Sequence, residues 1–201
     1  MILKILMVFL CVQLMDSCRL RCRNRTTETC DDGWTYYKRN TTGWCMKVFV
    51  VTRTNDIYIN KTIGENFCEQ NEAVISSIDD LEMYNFTMTL KAATHSNYTW
   101  LGATLDTQCQ CPASYCADPN DLCGAKAYYW TDGYTTSNDF LLNYLPVTPT
   151  KVNGVNVYLN RAGVYLIAND SPSEFRVGQL YIANVSTKAD SVLCGKPATI
   201  S

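Results

Sequence analysis

The sequence predicts an exported domain of mixed helices and short strands, held together by disulfides. Two segments have helical periodicity, and they lie between short apolar segments bounded by turn residues, which are typical of strands. The chain also begins with an apolar leader, and 11 of its 201 residues are cysteines. The 47% of hydrophobic residues is sufficient for a core, and the length suits a single domain.

The N-terminal segment 1–17 has the pattern of a secretory signal peptide. Lys4 precedes an apolar run from Ile5 to Met15, and polar residues follow it. We expect cleavage near Ser17. No later segment approaches the roughly 18 apolar residues of a membrane-spanning helix, so membrane insertion is not expected.

Segment 18–29 carries four alternating arginines, and we interpret it as a short basic leader to a domain of residues 30–201. A patch that binds polyanions or heparin is the alternative. A solvated leader is the simpler interpretation. The net charge of −2, which signal cleavage leaves unchanged, argues against a nucleic-acid partner.

Loss of Cys11 with the signal peptide leaves an even number of cysteines, which predicts disulfides in an oxidising compartment. A zinc site is the alternative, but His95 is the only histidine in the chain. The remaining cysteines are Cys18, Cys22, Cys30, Cys45, Cys68, Cys109, Cys111, Cys116, Cys123 and Cys194.

Asn-x-Ser/Thr sequons predict N-glycosylation of the exported chain. A further sequon at Asn169 is a weaker acceptor because Asp170 and Pro172 follow it. The predicted acceptors are Asn24, Asn40, Asn60, Asn85, Asn97 and Asn184.

The first elements are a hairpin and two helices. Segments 30–39 and 44–52 are strand-like, and the turn-like stretch from Asn40 to Gly43 joins them, so that a bridge from Cys30 to Cys45 would staple the hairpin. The two helices are predicted at 61–71 and 79–95.

Helical spacing supports the second helix most clearly. Leu81, Tyr84 and Met88 recur on one face, and Asp79 followed by Glu82 is a capping-box-like start. The apolar segment 73–78 between the helices is predicted to pack against the core.

The second half of the chain is predicted to form strands and loops. Four cysteines within 109–123 suggest a small loop with two local bridges, and a turn at 130–133 leads into the polar segment 134–146. The strand candidates are 97–105, Tyr128–Trp130, Val155–Leu159, 164–168, 179–183 and 191–194.

Taken in order, these motifs resemble a secreted invertebrate C-type lectin-like domain, in the long form with an extra N-terminal hairpin. The resemblance covers the chain from Cys30 to Cys194. The matching residues are Cys30, Gly33-Trp34, Cys68, the segment Ala-Val-Ile-Ser-Ser-Ile at 73–78, Trp100-Leu101-Gly102-Ala103, Trp130-Thr131-Asp132-Gly133 and Cys194.

The resemblance implies an α+β fold, with two helices beside antiparallel sheets, the termini close together and a long loop region. It also implies bridges from Cys30 to Cys45 and from Cys68 to Cys194. The family's second core bridge has no counterpart, because no cysteine lies between Cys123 and Cys194. The cluster at 109–123 is an alternative staple, and the sequence leaves its pairing open.

The residues do not predict the calcium site of the family's sugar-binding members. Those members use a Glu-Pro-Asn or Gln-Pro-Asp triplet and an Asn-Asp pair, because calcium requires a cluster of oxygen ligands. Here the two positions read Asn-Tyr-Leu-Pro-Val at 143–147 and Leu-Tyr-Ile-Ala-Asn-Val at 180–185. Asp118-Pro119-Asn120 imitates the triplet but precedes the 130–133 turn, and we interpret it as a turn. No cofactor is expected.

Two tyrosines with neighbouring polar residues are the candidates for calcium-independent binding. Tyrosine and asparagine are favoured in binding loops, although these tyrosines also fit simple packing of the loop onto the core. The candidate ligand-binding residues are Tyr134, Asn138, Asp139, Asn143 and Tyr144.

Catalysis is not predicted. His95 lies near a helix end beside Ser96 with no partner for a triad, and no pair of carboxylates is marked for glycoside hydrolysis. The leading hypothesis is a secreted module that recognises a glycan or glycoprotein in extracellular recognition or innate defence. The alternatives are an extracellular protein-interaction or structural module that has lost sugar binding, and a hydrolase with an unmarked site.

Overall fold

The computed structural model describes residues 27–40, 42–51, 59–109, 115–118, 125–145, 150–159, 163–167, 178–183 and 187–201. Its helices are α1 Lys61–Gln70, α2 Leu81–Thr94 and α3 Asp139–Tyr144. Its strands are β1 Glu28–Thr29, β2 Thr35–Lys38, β3 Gly43–Val50, β4 Val74–Ile75, β5 Tyr98–Leu105, β6 Tyr115–Asp118, β7 Tyr128–Trp130, β8 Thr150–Val152, β9 Val155–Leu159, β10 Gly163–Ile167, β11 Leu180–Ala183, β12 Ser191–Pro197 and β13 Thr199–Ile200. The α+β class is confirmed.

An eight-stranded sheet forms the centre of the molecule. Its strand order is β11-β10-β5-β12-β3-β2, with β4 added to β12 and β7 added to β5. Among the described strands every pairing is antiparallel except that of β5 with β12, where Thr99 lies opposite Ser191. The expectation of antiparallel sheets is therefore corrected at this pair. A separate sheet has the order β6-β9-β8.

The two ends of the described chain meet in a small sheet. Glu28 lies opposite Ile200 and Thr29 opposite Thr199, so β1 and β13 are antiparallel neighbours. This places the termini together, as the resemblance implies. It also means that the last two residues of the segment interpreted as a leader, 18–29, form a strand that pairs with the domain.

Disulfides staple the sheet at two places. Cys30 is bonded to Cys45 and Cys68 to Cys194, the two bridges that the resemblance implies. The second joins α1 to β12 across a sequence separation of 126, so in the chain-entropy model it restricts the unfolded chain strongly, by about 4 to 5 kcal/mol. Cys109 is disulfide-bonded as well. Among the other predicted cysteines, Cys18, Cys22, Cys111 and Cys123 lie outside the described residues, and Cys116 lies in β6.

Three motifs of the sequence meet at Gly102 in β5. The amide of Gly102 donates to Ser76 O at 2.9 Å, and its carbonyl accepts from Thr131 N and Thr131 Oγ1 at 2.6 and 2.8 Å. A side chain at Gly102 would place a Cβ 2.5 Å from the backbone oxygen of Ile75. Glycine is therefore required by close backbone approach.

The second helix begins one residue later than the capping pattern predicts. Asp80, not Asp79, is the N-cap of α2, and its Oδ1 accepts a hydrogen bond from Met83 N at 2.8 Å. Asp79 instead forms an ion pair with Arg39, with 3.3 Å between Asp79 Oδ2 and Arg39 Nε. The local pattern was ambiguous because two consecutive aspartates compete for one cap.

The polar segment after the 130–133 turn contains a helix that was not expected. Within the described residues there are three helices rather than the predicted two, and α3 lies inside segment 134–146. Phe140, Leu141 and Leu145 are buried, and the Phe140 ring lies 5.6 Å from that of Tyr84. Their burial holds the turn of helix against the core, which outweighs the polar composition of the segment.

No helix of the described chain is long and apolar enough to cross a membrane.

A buried lysine closes the C-terminal end of α2. Lys91 is buried, and its Nζ donates to Ser96 O at 3.1 Å and to Asn97 O at 3.0 Å. Burial lowers the pKa of Lys91 to about 8, although the charge of Asp190 opposes the shift. The two carbonyl acceptors can be satisfied by either protonation state of the amine.

Because of Lys91, the free energy of unfolding of the domain should vary with pH in the alkaline range. Between about pH 8 and pH 10.5 the unfolded chain retains a proton that the folded chain has released, so the free energy of unfolding should rise with pH. The rise is expected to be about 3 kcal/mol. We expect the difference between wild type and Lys91→Met, measured by urea denaturation, to increase by that amount across this window. A difference that does not change with pH would contradict the lowered pKa of buried Lys91.

Candidate functional site

The turn at 130–133 is organised by a buried aspartate. The side chain of Asp132 has no exposed surface, and its Oδ1 accepts hydrogen bonds from Tyr134 N at 3.0 Å and Thr135 N at 2.8 Å. Gly133 has φ 75°, a left-handed conformation in which glycine avoids a steric penalty. The backbone direction that presents Tyr134 is thus fixed by Asp132.

Arg39 connects this turn to the hairpin and to the start of α2. Its Nη2 donates to Asp132 Oδ2 at 3.1 Å, and its Nε lies 3.3 Å from Asp79 Oδ2. The guanidinium carbon lies 4.0 Å from the centre of the Trp44 ring, a cation–π distance. Only 6% of Arg39 is exposed, so the charge is held inside the protein by two carboxylates and one aromatic face.

The aspartate of this pair is held in its charged form. Burial by itself raises the pKa of Asp132, but the amides of Thr135 and Tyr134 and the Arg39 guanidinium act in the opposite direction. Their combined effect is greater, so the pKa of Asp132 lies below its ordinary value. Asp132 therefore remains a carboxylate at neutral pH.

Tyr134 packs against the same aromatic group, the ring of Trp44. The rings of Tyr134 and Trp44 are 4.7 Å apart at an angle of 57°, and the Trp44 indole donates to Ser76 Oγ at 3.0 Å. Half of Tyr134, 50%, remains exposed. The structure therefore supports the tyrosine from beneath and leaves the rest of the ring in solvent.

A cavity of about 180 Å³ opens beside this tyrosine. Thr135 to Ser137 also face it, and Thr135 Oγ1 donates to Asp79 Oδ1 at 2.7 Å. The residues of its wall that bear on binding are Arg39, Asn40, Trp44, Asp79, Asp80 and Tyr134. We call it the Tyr134 cavity.

One buried donor of Arg39 has no acceptor. Nη1 of Arg39 has no hydrogen-bond partner in the part of the chain that the structure describes. A buried donor without an acceptor costs about 1 to 3 kcal/mol, and most such groups in proteins are satisfied. Nη1 has almost no accessible surface, so it is not open to a ligand in the cavity.

The rim of the Tyr134 cavity is negative. Asp79 and Asp80 line it, and their charges contribute to a raised pKa of the neighbouring Tyr37. Burial, together with the charges of Asp80 and Glu82, raises the pKa of Tyr37 to about 12. The cavity thus combines an excess of carboxylate acceptors with an aromatic surface, beside the buried charge of Arg39.

A second cavity, of about 270 Å³, is also lined by Tyr134. Glu69, Glu72, Val74 and Lys196 line it as well. Lys196 is already paired with Asp31, with 2.6 Å between Nζ and Oδ2. Tyr134 therefore lines two depressions that both carry carboxylates.

The other candidate binding residues lie on α3. Asn138 is its N-cap and makes no side-chain cap bond, Asp139 and Asn143 are exposed, and 47% of Tyr144 is exposed. The Tyr144 ring stacks on Phe140 at 4.6 Å. Among the described residues the two cavities beside Tyr134 include none of these four side chains. Only Tyr134 of the five candidates lines them.

Sequence reasoning missed the charged part of the site. Arg39 was assigned only as the end of a strand, and Asp79 as a helix cap. One signal was available, because an aspartate in a turn between buried segments, Asp132, requires a counter-charge or several donors. Nothing local identifies Arg39 as that counter-charge, since the two residues are far apart in sequence.

The described residues do not fit the calcium site of sugar-binding relatives. The triplet position begins in α3, where Asn143 and Tyr144 are exposed, and residues 146–147 lie outside the described chain. On β11, Leu180, Ile182 and Ala183 are buried hydrophobic side chains with no oxygen ligands. Within the described parts of the chain no group of three or more His, Cys, Asp or Glu is placed to hold a metal ion.

The predicted glycosylation sites differ in their surroundings. Asn40 and Asn85 are exposed, whereas Asn97 is half-buried, and Asn60 accepts a hydrogen bond from Ile63 N at 2.9 Å as the N-cap of α1. Asn24 and Asn184 lie outside the described residues. Asn40 is the one described acceptor that lines the Tyr134 cavity.

The single histidine is placed for a structural role. His95 is exposed at the C-cap of α2 with φ 55°, and its amide donates to Ala92 O at 3.4 Å. Such left-handed C-caps end many helices.

Three solved structures resemble this arrangement of helices, sheets and disulfides. Herring type II antifreeze protein is 16% identical over 85% of this chain and 100% of its own, with a TM-score of 0.50. The C-type carbohydrate-recognition domain of cow CD23 is 16% identical over 86% of this chain and 99% of its own, with a TM-score of 0.52. A calcium-independent type II antifreeze protein is 16% identical over 88% of this chain and 100% of its own, with a TM-score of 0.51.

The chain has a C-type lectin-like fold. No family model and no curated protein matches the sequence. The lectin-like fold of this chain is thus recognised through its structure, and its cavities must be interpreted from its own residues.

The Arg39–Asp132 pair should be essential to the lectin-like fold around the cavity. Asp132→Asn keeps an acceptor for the turn amides but leaves Arg39 with one carboxylate, so we expect a loss of about 3 kcal/mol in the free energy of unfolding. Asp80→Asn, which retains a good cap, should cost below about 1 kcal/mol. Urea denaturation followed by tryptophan fluorescence measures both. Equal effects of the two changes would show that the buried pair is not the anchor.

Proposed function

We propose that this protein is a secreted recognition module that binds a glycan, free or on a glycoprotein, without calcium and at the Tyr134 cavity. The observation that carries the proposal is a cavity with the half-exposed ring of Tyr134 at its rim and the carboxylates of Asp79 and Asp80 in its wall. A role in extracellular recognition or innate defence is consistent with such a module, and the signal-peptide pattern and disulfides support export.

The cavity has the groups that a sugar needs. Sugar hydroxyls can donate to the carboxylates of Asp79 or Asp80, which line the cavity. The apolar face of the sugar ring can pack on Tyr134, an amphipathic side chain suited to such contacts. A few placed polar groups beside an aromatic surface are typical of small-ligand sites.

The charge of the site favours a neutral sugar over a polyanion. Arg39 is balanced by Asp79 and Asp132, and Asp80 adds a further negative charge. Sulfated glycans and nucleic acids would meet this excess of carboxylates and be repelled. Among glycans, a neutral oligosaccharide is therefore the favoured class.

Two neighbours in fold agree with the proposal. The cow CD23 domain was solved in the presence of GlcNAc2Man3 oligosaccharide, and one type II antifreeze neighbour is calcium-independent. A binding role rather than a catalytic one also agrees with these binding domains. The proposal for this chain rests on its own residues, which lack the calcium ligands at the described positions and offer the Tyr134 cavity instead.

Binding should require Tyr134 and tolerate a chelator. On an array of neutral glycans in EDTA, we expect the wild-type domain to bind and Tyr134→Ala to lose about tenfold in affinity, since an aromatic contact contributes roughly 1 kcal/mol or more. Tyr144→Ala is the matched control, because Tyr144 is exposed to a similar extent, 47%, and lies on α3. It should bind as the wild type does.

The other possible outcomes of this experiment indicate different binding sites or mechanisms. Loss of binding only in Tyr144→Ala would move the site to α3 with Asn138, Asp139 and Asn143. Loss of binding in EDTA would restore a calcium-bridged mechanism. No binding to any glycan by the wild-type chain made without glycosylation would contradict the proposal and favour a protein-interaction module that has lost sugar binding.

A further inference from the structure

A predicted glycosylation site lies in the wall of the Tyr134 cavity. Asn40 begins an Asn-x-Thr sequon that Thr42 completes, and both residues face the cavity. Asn40 is exposed, so its amide is accessible to a bulky substituent. Among the described acceptors, the others are absent from this cavity.

A backbone hydrogen bond lies beside this acceptor. Arg39 N donates to Thr42 O at 3.1 Å. The side chain of Arg39, the residue before Asn40, is fixed by Asp132 and Trp44. A sugar attached to the amide nitrogen of Asn40 therefore starts at the edge of the cavity.

We propose that the N-glycan of Asn40 is the resident ligand of the Tyr134 cavity. Its first N-acetylglucosamine residues are neutral and polyhydroxylated, the class of ligand proposed above, and this inference rests on that proposed function. The sugar ring lies against the exposed face of Tyr134, and its hydroxyls donate to the carboxylates of Asp79 and Asp80 in the cavity wall.

A tethered sugar competes for the cavity at a higher effective concentration than a free sugar does. Short flexible linkers give effective concentrations in the millimolar range, and the Asn40 linkage is among the shortest conceivable. A free glycan of similar intrinsic affinity must exceed that concentration to displace it. Glycosylation at Asn40 therefore closes the site, and chains without this glycan have an open one.

The chain offers a matched control for this effect. Asn85 is exposed on α2, is also a predicted acceptor, and does not line the cavity among the described residues. Asn85→Gln removes one glycan of the same kind from another surface. Any general effect of glycan loss should appear equally in Asn40→Gln and Asn85→Gln.

The first measurement uses the full chain secreted from eukaryotic cells. Mass spectrometry of glycopeptides should show Asn40 occupied. Release of glycans from the folded protein by an amidase should be at least tenfold slower at Asn40 than at Asn85, and Tyr134→Ala should remove that protection. An unoccupied Asn40, or equal release rates at the two sites in the wild type, would overturn the inference.

The second measurement is affinity for the neutral glycans bound best on the array. Asn40→Gln should bind about tenfold tighter than the wild type, and Asn85→Gln should equal the wild type. Wild-type protein made without glycosylation should match Asn40→Gln, which separates loss of the glycan from the change of side chain. Equal affinity of all forms, with Tyr134→Ala still weakened, would overturn this inference alone. No glycan binding by any form, the open ones included, would overturn the proposed function as well.

Discussion

The buried charge of Arg39 is the constraint on which the rest of the site depends. A guanidinium with 6% exposure must be compensated inside the protein, and it obtains carboxylates from the α2 entrance and from the 130–133 turn. In meeting this need, the protein fixes three separate chain segments against each other. The position of Tyr134 follows, because Asp132 binds Arg39 with one oxygen and the Tyr134 and Thr135 amides with the other.

The sheet and the disulfides hold the elements around Arg39 in fixed positions. β3 carries Trp44 and pairs with β12 through seven registered residue pairs, while Cys68–Cys194 ties β12 to α1. Gly102 brings β5, the 73–78 segment and the turn into backbone contact. A rigid scaffold of this kind presents its binding residues with little entropy lost when a ligand arrives.

Elements with strong local patterns were predictable, and contacts between distant residues were not. α2 and the strands Tyr128–Trp130 and Val155–Leu159 follow from periodicity and turn residues. α3 was missed because its six residues acquire stability from buried Phe140 and Leu141, a tertiary effect. The partners of Arg39 were missed for the same reason, since no local pattern encodes an ion pair that spans more than ninety residues.

We propose that this lectin-like fold binds its ligand at a site other than the calcium site of sugar-binding C-type lectins. The described residues at the two calcium-ligand positions, 143–145 and 180–183, include no carboxylate, whereas Asp79, Asp80 and Tyr134 line a cavity at the hairpin and the start of the loop region. A crystal structure of the domain with a neutral oligosaccharide in EDTA tests this account most directly. It predicts a sugar hydroxyl within hydrogen-bond distance of the carboxylate of Asp79 or Asp80 and a sugar ring over Tyr134. A sugar bound through a metal ion, or at a site remote from Tyr134, would contradict it.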